Sequence, residues 1–62
     1  MYIITRTHRY ADRMTRTAYL SAVSPETYTN DRAQVLQFPT AAEAEKTRAG
    51  LTATGILEVK EV

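Results

Sequence analysis

The sequence predicts an α+β fold: a three- to four-stranded, mainly antiparallel sheet with one helix packed on one face, in the order β-β-β-α-β. Three observations carry this. Residues 38–50 (FPTAAEAEKTRAG) contain the start, body and stop of one helix. Residues 2–6, 17–23 and 56–62 are rich in β-branched and aromatic side chains, and alternation rather than helical spacing orders their apolar positions. The chain has 62 residues and no cysteine. That is enough for one small domain, 1–62, which buries only about 60% of its extended surface and has no disulfide to brace it.

The elements can be justified in turn. Residues 2–6 (YIITR) form the first strand, with Tyr2 and Ile4 on one face and Ile3 and Thr5 on the other. With a strand opening at Tyr2, no leader segment is expected. Residues 7–16 (THRYADRMTR) break the alternation and contain neither Gly nor Pro. They predict an extended hairpin connection, or a loop with a helical turn, rather than a tight turn. Residues 17–23 (TAYLSAV) form a second strand, and Ser24, Pro25 and Glu26 turn the chain. Tyr28 to Asp31 continue it, with Asn30 and Asp31 as a turn or loop tip, and residues 32–38 (RAQVLQF) predict a short third strand.

The helix is predicted over Ala41 to Ala49. Thr40 and Glu43 make a capping box, in which the Thr40 hydroxyl accepts from the Glu43 amide and the Glu43 carboxylate reaches back. Pro39 precedes the cap and keeps Phe38 extended. Acids lie early (Glu43, Glu45) and bases late (Lys46, Arg48), as the helix dipole favours. Gly50 predicts a left-handed stop. The apolar stripe is thin: Ala41, Ala44 and Leu51, with the stem of Arg48. Phe38 is the expected large anchor at the entry to the helix. Residues 52–55 then form a loop, and residues 56–62 (ILEVKEV) the closing strand. This strand is expected beside the first, with the chain ends near opposite edges of the pair. One helix leaves the other sheet face bare, which favours dimerisation or docking.

Composition excludes several functions. Without cysteine, and with His8 the single histidine, no zinc site can be built. No apolar run spans a membrane and no signal peptide opens the chain, so a cytoplasmic location without membrane partners is expected. The two glycines, Gly50 and Gly55, make no phosphate-cradling loop. Net charge is +1, but it is unevenly spread. Residues 1–24 hold Arg6, Arg9, Arg13 and Arg16 against Asp12, a balance of +3, and the remainder carries −2.

The densest chemistry is Arg6, His8, Arg9, Tyr10, Arg13, Met14 and Arg16. Arg and Tyr are the types most enriched among interface hot spots, and Arg suits carboxylate, phosphate and aromatic partners alike. Arg6, His8, Arg9, Tyr10, Arg13 and Arg16 are therefore the candidate partner surface. The competing reading is a solvated hairpin tip that keeps the protein soluble. His8 and Asp12 would share a face if residues 8–12 were helical, yet no nucleophile or second acid accompanies them. Glu43 is already used as a cap, so catalysis is not expected, nor a cofactor or metal. Of the tyrosines, Tyr2 is expected in the core and Tyr10 on the surface, while Tyr19 and Tyr28 are left open.

Tyr2-Ile3-Ile4, Tyr19-Leu20, Tyr28-Thr29-Asn30-Asp31, Ala33, Phe38, Thr40, Glu43-Ala44-Glu45 and the closing Val59 to Val62 run nearly the length of the chain. In this layout the chain resembles a group of very small phage and prophage proteins, with Tyr28 where that group has Trp. The resemblance concerns layout and carries over no functional residue. Some phage proteins of this size inhibit bacterial defence, anti-CRISPR proteins among them. It implies a non-enzymatic inhibitor that binds a larger host protein or ribonucleoprotein complex. Two alternatives stand beside it: a small nucleic-acid-binding domain using the arginines, and a homodimeric structural protein.

Overall fold

The computed structural model describes residues 1–12 and 14–62, with the side chain of Ala11 left aside. The fold is α+β, as the sequence predicts. Four strands, β1 (Tyr2–Ala11), β2 (Met14–Val23), β3 (Glu26–Thr29) and β4 (Ile56–Glu61), form one antiparallel sheet in the order β3-β2-β1-β4. Among the described residues one α-helix, α1 (Ala41–Ala49), lies over β1 and β4.

The core grows from the alternation in β1. Ile4 points to the helix side and is fully buried with Leu20 and Ala44. Tyr2, Tyr28, Leu36, Phe38, Leu51 and Val59 pack around them, half-exposed at their outer rims. The structure thus places Tyr28 in the core beside Tyr2. Tyr19 is half-buried on the opposite face, opposite Thr5 of β1. That face is less bare than expected, since Ile3 and Thr5 are buried there too.

Helix α1 has the predicted bounds. Thr40 Oγ1 accepts from the Glu43 amide at 3.2 Å, which is the hydroxyl half of the capping box. Two details differ from expectation. Gly50 ends the helix with φ −92° and ψ −3°, a right-handed conformation in which its amide still donates to the Thr47 and Arg48 carbonyls. The inward stripe is Ala44, Thr47, Arg48 and Leu51, while Ala41 faces solvent. These four follow the i, i+3, i+4, i+7 spacing of one helix face, and Ala41 lies in the first turn, before that stripe begins.

The segment before the helix is where the sequence reading needs most correction. The third strand is Glu26–Thr29, read as a turn and its continuation, whereas Arg32–Gln34 is a 3₁₀ turn. Asp31 starts that turn by accepting from the Ala33 amide, and this local hydrogen bond outcompetes an extended chain. Only the end of the predicted strand is sheet-like. Phe38 exchanges both backbone hydrogen bonds with Tyr2 at 2.8 Å, and the Leu36 amide donates to the Leu20 carbonyl at 2.9 Å. These bonds tie the ends of β1 and β2 together where β2 bulges at Ser21, the extra residue between the Leu20 and Ala22 pairings. Phe38 is the anchor expected at the helix entry.

β4 pairs with β1 as expected, but the chain ends are side by side. Tyr2 stands opposite Glu61, and the Val62 amide donates to the Met1 carbonyl at 2.9 Å. At the other end of β4, Gly55 has φ +103°, and a Cβ there would lie 2.8 Å from the Thr7 carbonyl oxygen. Both the backbone angle and the close approach require glycine at this entry to the strand.

Candidate functional site

β1 and β2 are each ten residues long, but their outer neighbours are shorter. β4 reaches only to Ile56 opposite Thr7, and β3 only to Thr29 opposite Tyr19. Beyond these points β1 and β2 continue as a two-stranded ribbon with both outer edges unpaired among the described residues. Residues 7–11 and 14–16 are therefore strand, as in an extended hairpin connection, with no helical turn among the described residues. The strand backbone separates His8 from Asp12 and removes the proximity that a helix would have given them.

In the ribbon, His8 stands opposite Arg16 and Arg9 opposite Thr15. Tyr10 is the extra residue of a bulge between the Arg9 and Ala11 pairings. The Arg16 guanidinium lies 5.4 Å from the centre of the Tyr10 ring, and Tyr10 is 47% exposed. His8, Arg9, Asp12, Met14 and Arg16 are also exposed. The period of a strand divides this cluster: His8 and Arg16 share the helix-side face, and Arg9 lies on the other. Arg13 falls outside the described residues.

Arg6 belongs to a different group. Its Nε donates to the Thr54 carbonyl at 2.6 Å, and its guanidinium lies 5.5 Å over the Tyr28 ring. Tyr28 in turn donates to Glu26 Oε2 at 2.9 Å. Glu26 also accepts from the Thr52 amide and hydroxyl, both at 3.0 Å, and from the Ala53 amide at 2.9 Å. Glu26 and Arg6 together fasten the loop after α1 to β3 and β1. The Thr52 amide, and then the Tyr28 hydroxyl, hold the Glu26 carboxyl below its ordinary value of 4.5. Burial, and then the bond to Glu26, push the Tyr28 hydroxyl up to about 12. The sequence reading missed this cluster. Its signal was present in the spacing of Glu26 and Tyr28, which lie on one face of a strand once that strand is recognised.

Two recesses flank these groups. One, of about 540 Å³, lies at the root of the ribbon between Thr7–Arg9 and Thr54–Ile56. The other, of about 370 Å³, runs along the face away from the helix, floored by Ile3, Thr5 and Tyr19 and edged by Arg32 and Lys60. Among the described residues, no group of three or more His, Asp or Glu is placed to hold a metal ion, and no helix is long and apolar enough to cross a membrane. Comparison with protein-family models, with curated proteins and with solved structures returned no match.

Proposed function

We propose that this is a non-enzymatic binding domain whose projecting ribbon is the contact element for a larger protein or ribonucleoprotein. The observation that carries the reading is the contrast in how polar groups are used. In the body, Arg6, Glu26 and Tyr28 satisfy one another and the loop. On the ribbon, Arg9, Tyr10 and Arg16 are turned to solvent on an element that buries no core. Exposed Arg and Tyr on a narrow projecting support are well suited to a partner's acidic or aromatic cleft. In the narrower form suggested by the phage-like layout, the partner is a bacterial defence complex and the domain is its inhibitor.

A nucleic-acid reading draws on the ribbon's shape, since the major groove admits a two-stranded β-ribbon. Two measurements separate the readings. Affinity purification from a bacterial lysate, with wild type beside an Arg9→Ala/Arg16→Ala variant, should recover a stoichiometric protein with wild type alone. Titration with single-stranded and duplex oligonucleotides at low and moderate salt should give only weak binding. Tight oligonucleotide binding that falls steeply with salt would replace the protein-partner reading with the nucleic-acid one.

A further inference from the structure

We infer that the free edge of β4 is a self-pairing surface, on which two copies of this chain join antiparallel strands about a two-fold axis at Val59. β4 has β1 on one side and, among the described residues, no backbone partner on the other. The side on which each residue offers its hydrogen bonds can be read from its neighbours. The Val62 amide points inward to Met1, and Tyr2 spends its backbone bonds on Phe38, away from β4. Along an antiparallel pair these directions alternate. Ile56, Glu58, Lys60 and Val62 therefore bond inward to β1, and Leu57, Val59 and Glu61 present their amides and carbonyls outward.

The side chains choose the register. Strands pairing through those three residues can place Val59 opposite its own copy, or slip by two residues either way about the axis. One slip puts Glu58 against Glu58 of the second copy, and the other puts Lys60 against Lys60. The register centred on Val59 instead puts each Glu58 against Lys60 of the second copy, in the non-hydrogen-bonded pairs where side chains lie closest. It also makes about six backbone hydrogen bonds. On the same face it sets Ile56 against Val62 at each end. These are the two most exposed large apolar side chains in the chain, at 62% and 68%. Edge strands are commonly protected from pairing by charged side chains, but in this register Glu58 and Lys60 meet as opposite charges, so they favour the pairing, and the exposed aliphatics flank them.

The helices permit this arrangement. α1 touches both β1 and β4 and so lies over that pair. With strands spaced by about 4.8 Å, two such helices related by the axis stand about 10 Å apart, an ordinary packing distance. The ribbon lies at the far end of β1 and takes no part, so this inference is independent of the proposed binding role.

The test is sedimentation equilibrium from micromolar to millimolar concentration at low salt, on wild type, Glu58→Lys, Lys60→Glu, the double exchange, and an equimolar mixture of the two single variants. Both side chains are exposed, and circular dichroism checks that each variant is folded. Wild type should dimerise. Each single reversal should raise the dimer dissociation constant about tenfold or more, because like charges then face each other twice. The double exchange should restore wild-type affinity, and so should the mixture, through heterodimers in which every pair is again opposite. A wild type that stays monomeric, a dimer indifferent to the reversals, or reversals that the mixture does not rescue would each overturn the inference.

Discussion

Two arginines stack on two tyrosines in this molecule at almost the same distance, Arg6 on Tyr28 at 5.5 Å and Arg16 on Tyr10 at 5.4 Å. They sit in opposite surroundings. Tyr28 belongs to the core, its hydroxyl is held by Glu26, and Arg6 has the Thr54 carbonyl as a second partner. Tyr10 is exposed on the ribbon, where among the described residues Arg16 adds only the stack. The same pair of residue types thus serves as a tie in one place and as an open surface in the other. What separates them is the number of further bonds each residue makes to distant parts of the chain.

The comparison can be broken most forcefully at the core beneath the first pair. Leu20→Ala empties a fully buried site and should cost about 3 kcal/mol. At about 0.1 kcal/mol of stability per residue that is about half of the total, so chemical denaturation should show the midpoint fall to about half its wild-type denaturant concentration. Met14→Ala on the ribbon, in contrast, should leave the midpoint within error. Gly55→Ala should cost about 1–3 kcal/mol, because it forces a side chain into a left-handed φ against the Thr7 carbonyl.

A pH titration sharpens the same contrast. The folded state holds Glu26 below its ordinary 4.5, so its stabilisation is complete above that value and is lost as pH falls through the lowered folded-state value. Thermal melts should therefore fall on the acid side in wild type. Glu26→Gln should melt lower at neutral pH and lose that part of the acid dependence. Hydrogen exchange at Thr52 and Ala53 should quicken in the variant, since their amides lose their charged acceptor. If Glu26→Gln kept the full acid dependence, the clamp would have no such role.

The sequence was most informative where signals were local. The helix was legible to the residue because Thr40, Glu43 and Gly50 act on their own neighbours. The bodies of β1, β2 and β4 were legible from alternation, and Phe38 from its place before the cap. The third strand was misplaced because residues 32–38 hold the apolar side chains Ala33, Val35, Leu36 and Phe38, whereas residues 26–29 hold only Tyr28. The deciding bonds were a local one from Asp31 and long-range ones from Glu26 to Thr52 and Ala53. The candidate surface was legible as a cluster of residue types but not as an arrangement. Arg6 and Arg16 look alike in the text, and only the partner strands and the loop beyond the helix show that one faces inward.

One stack holds the fold and the other lies open, a difference that thermal unfolding of Arg6→Ala beside Arg16→Ala at neutral pH reads out. Arg6→Ala should lose about 1 kcal/mol, from the stack and the bond to Thr54. In a domain of this size that is a fall of about 4–8 °C in Tm. Arg16→Ala should melt with wild type. A fall for Arg16→Ala equal to or larger than that for Arg6→Ala would contradict the account.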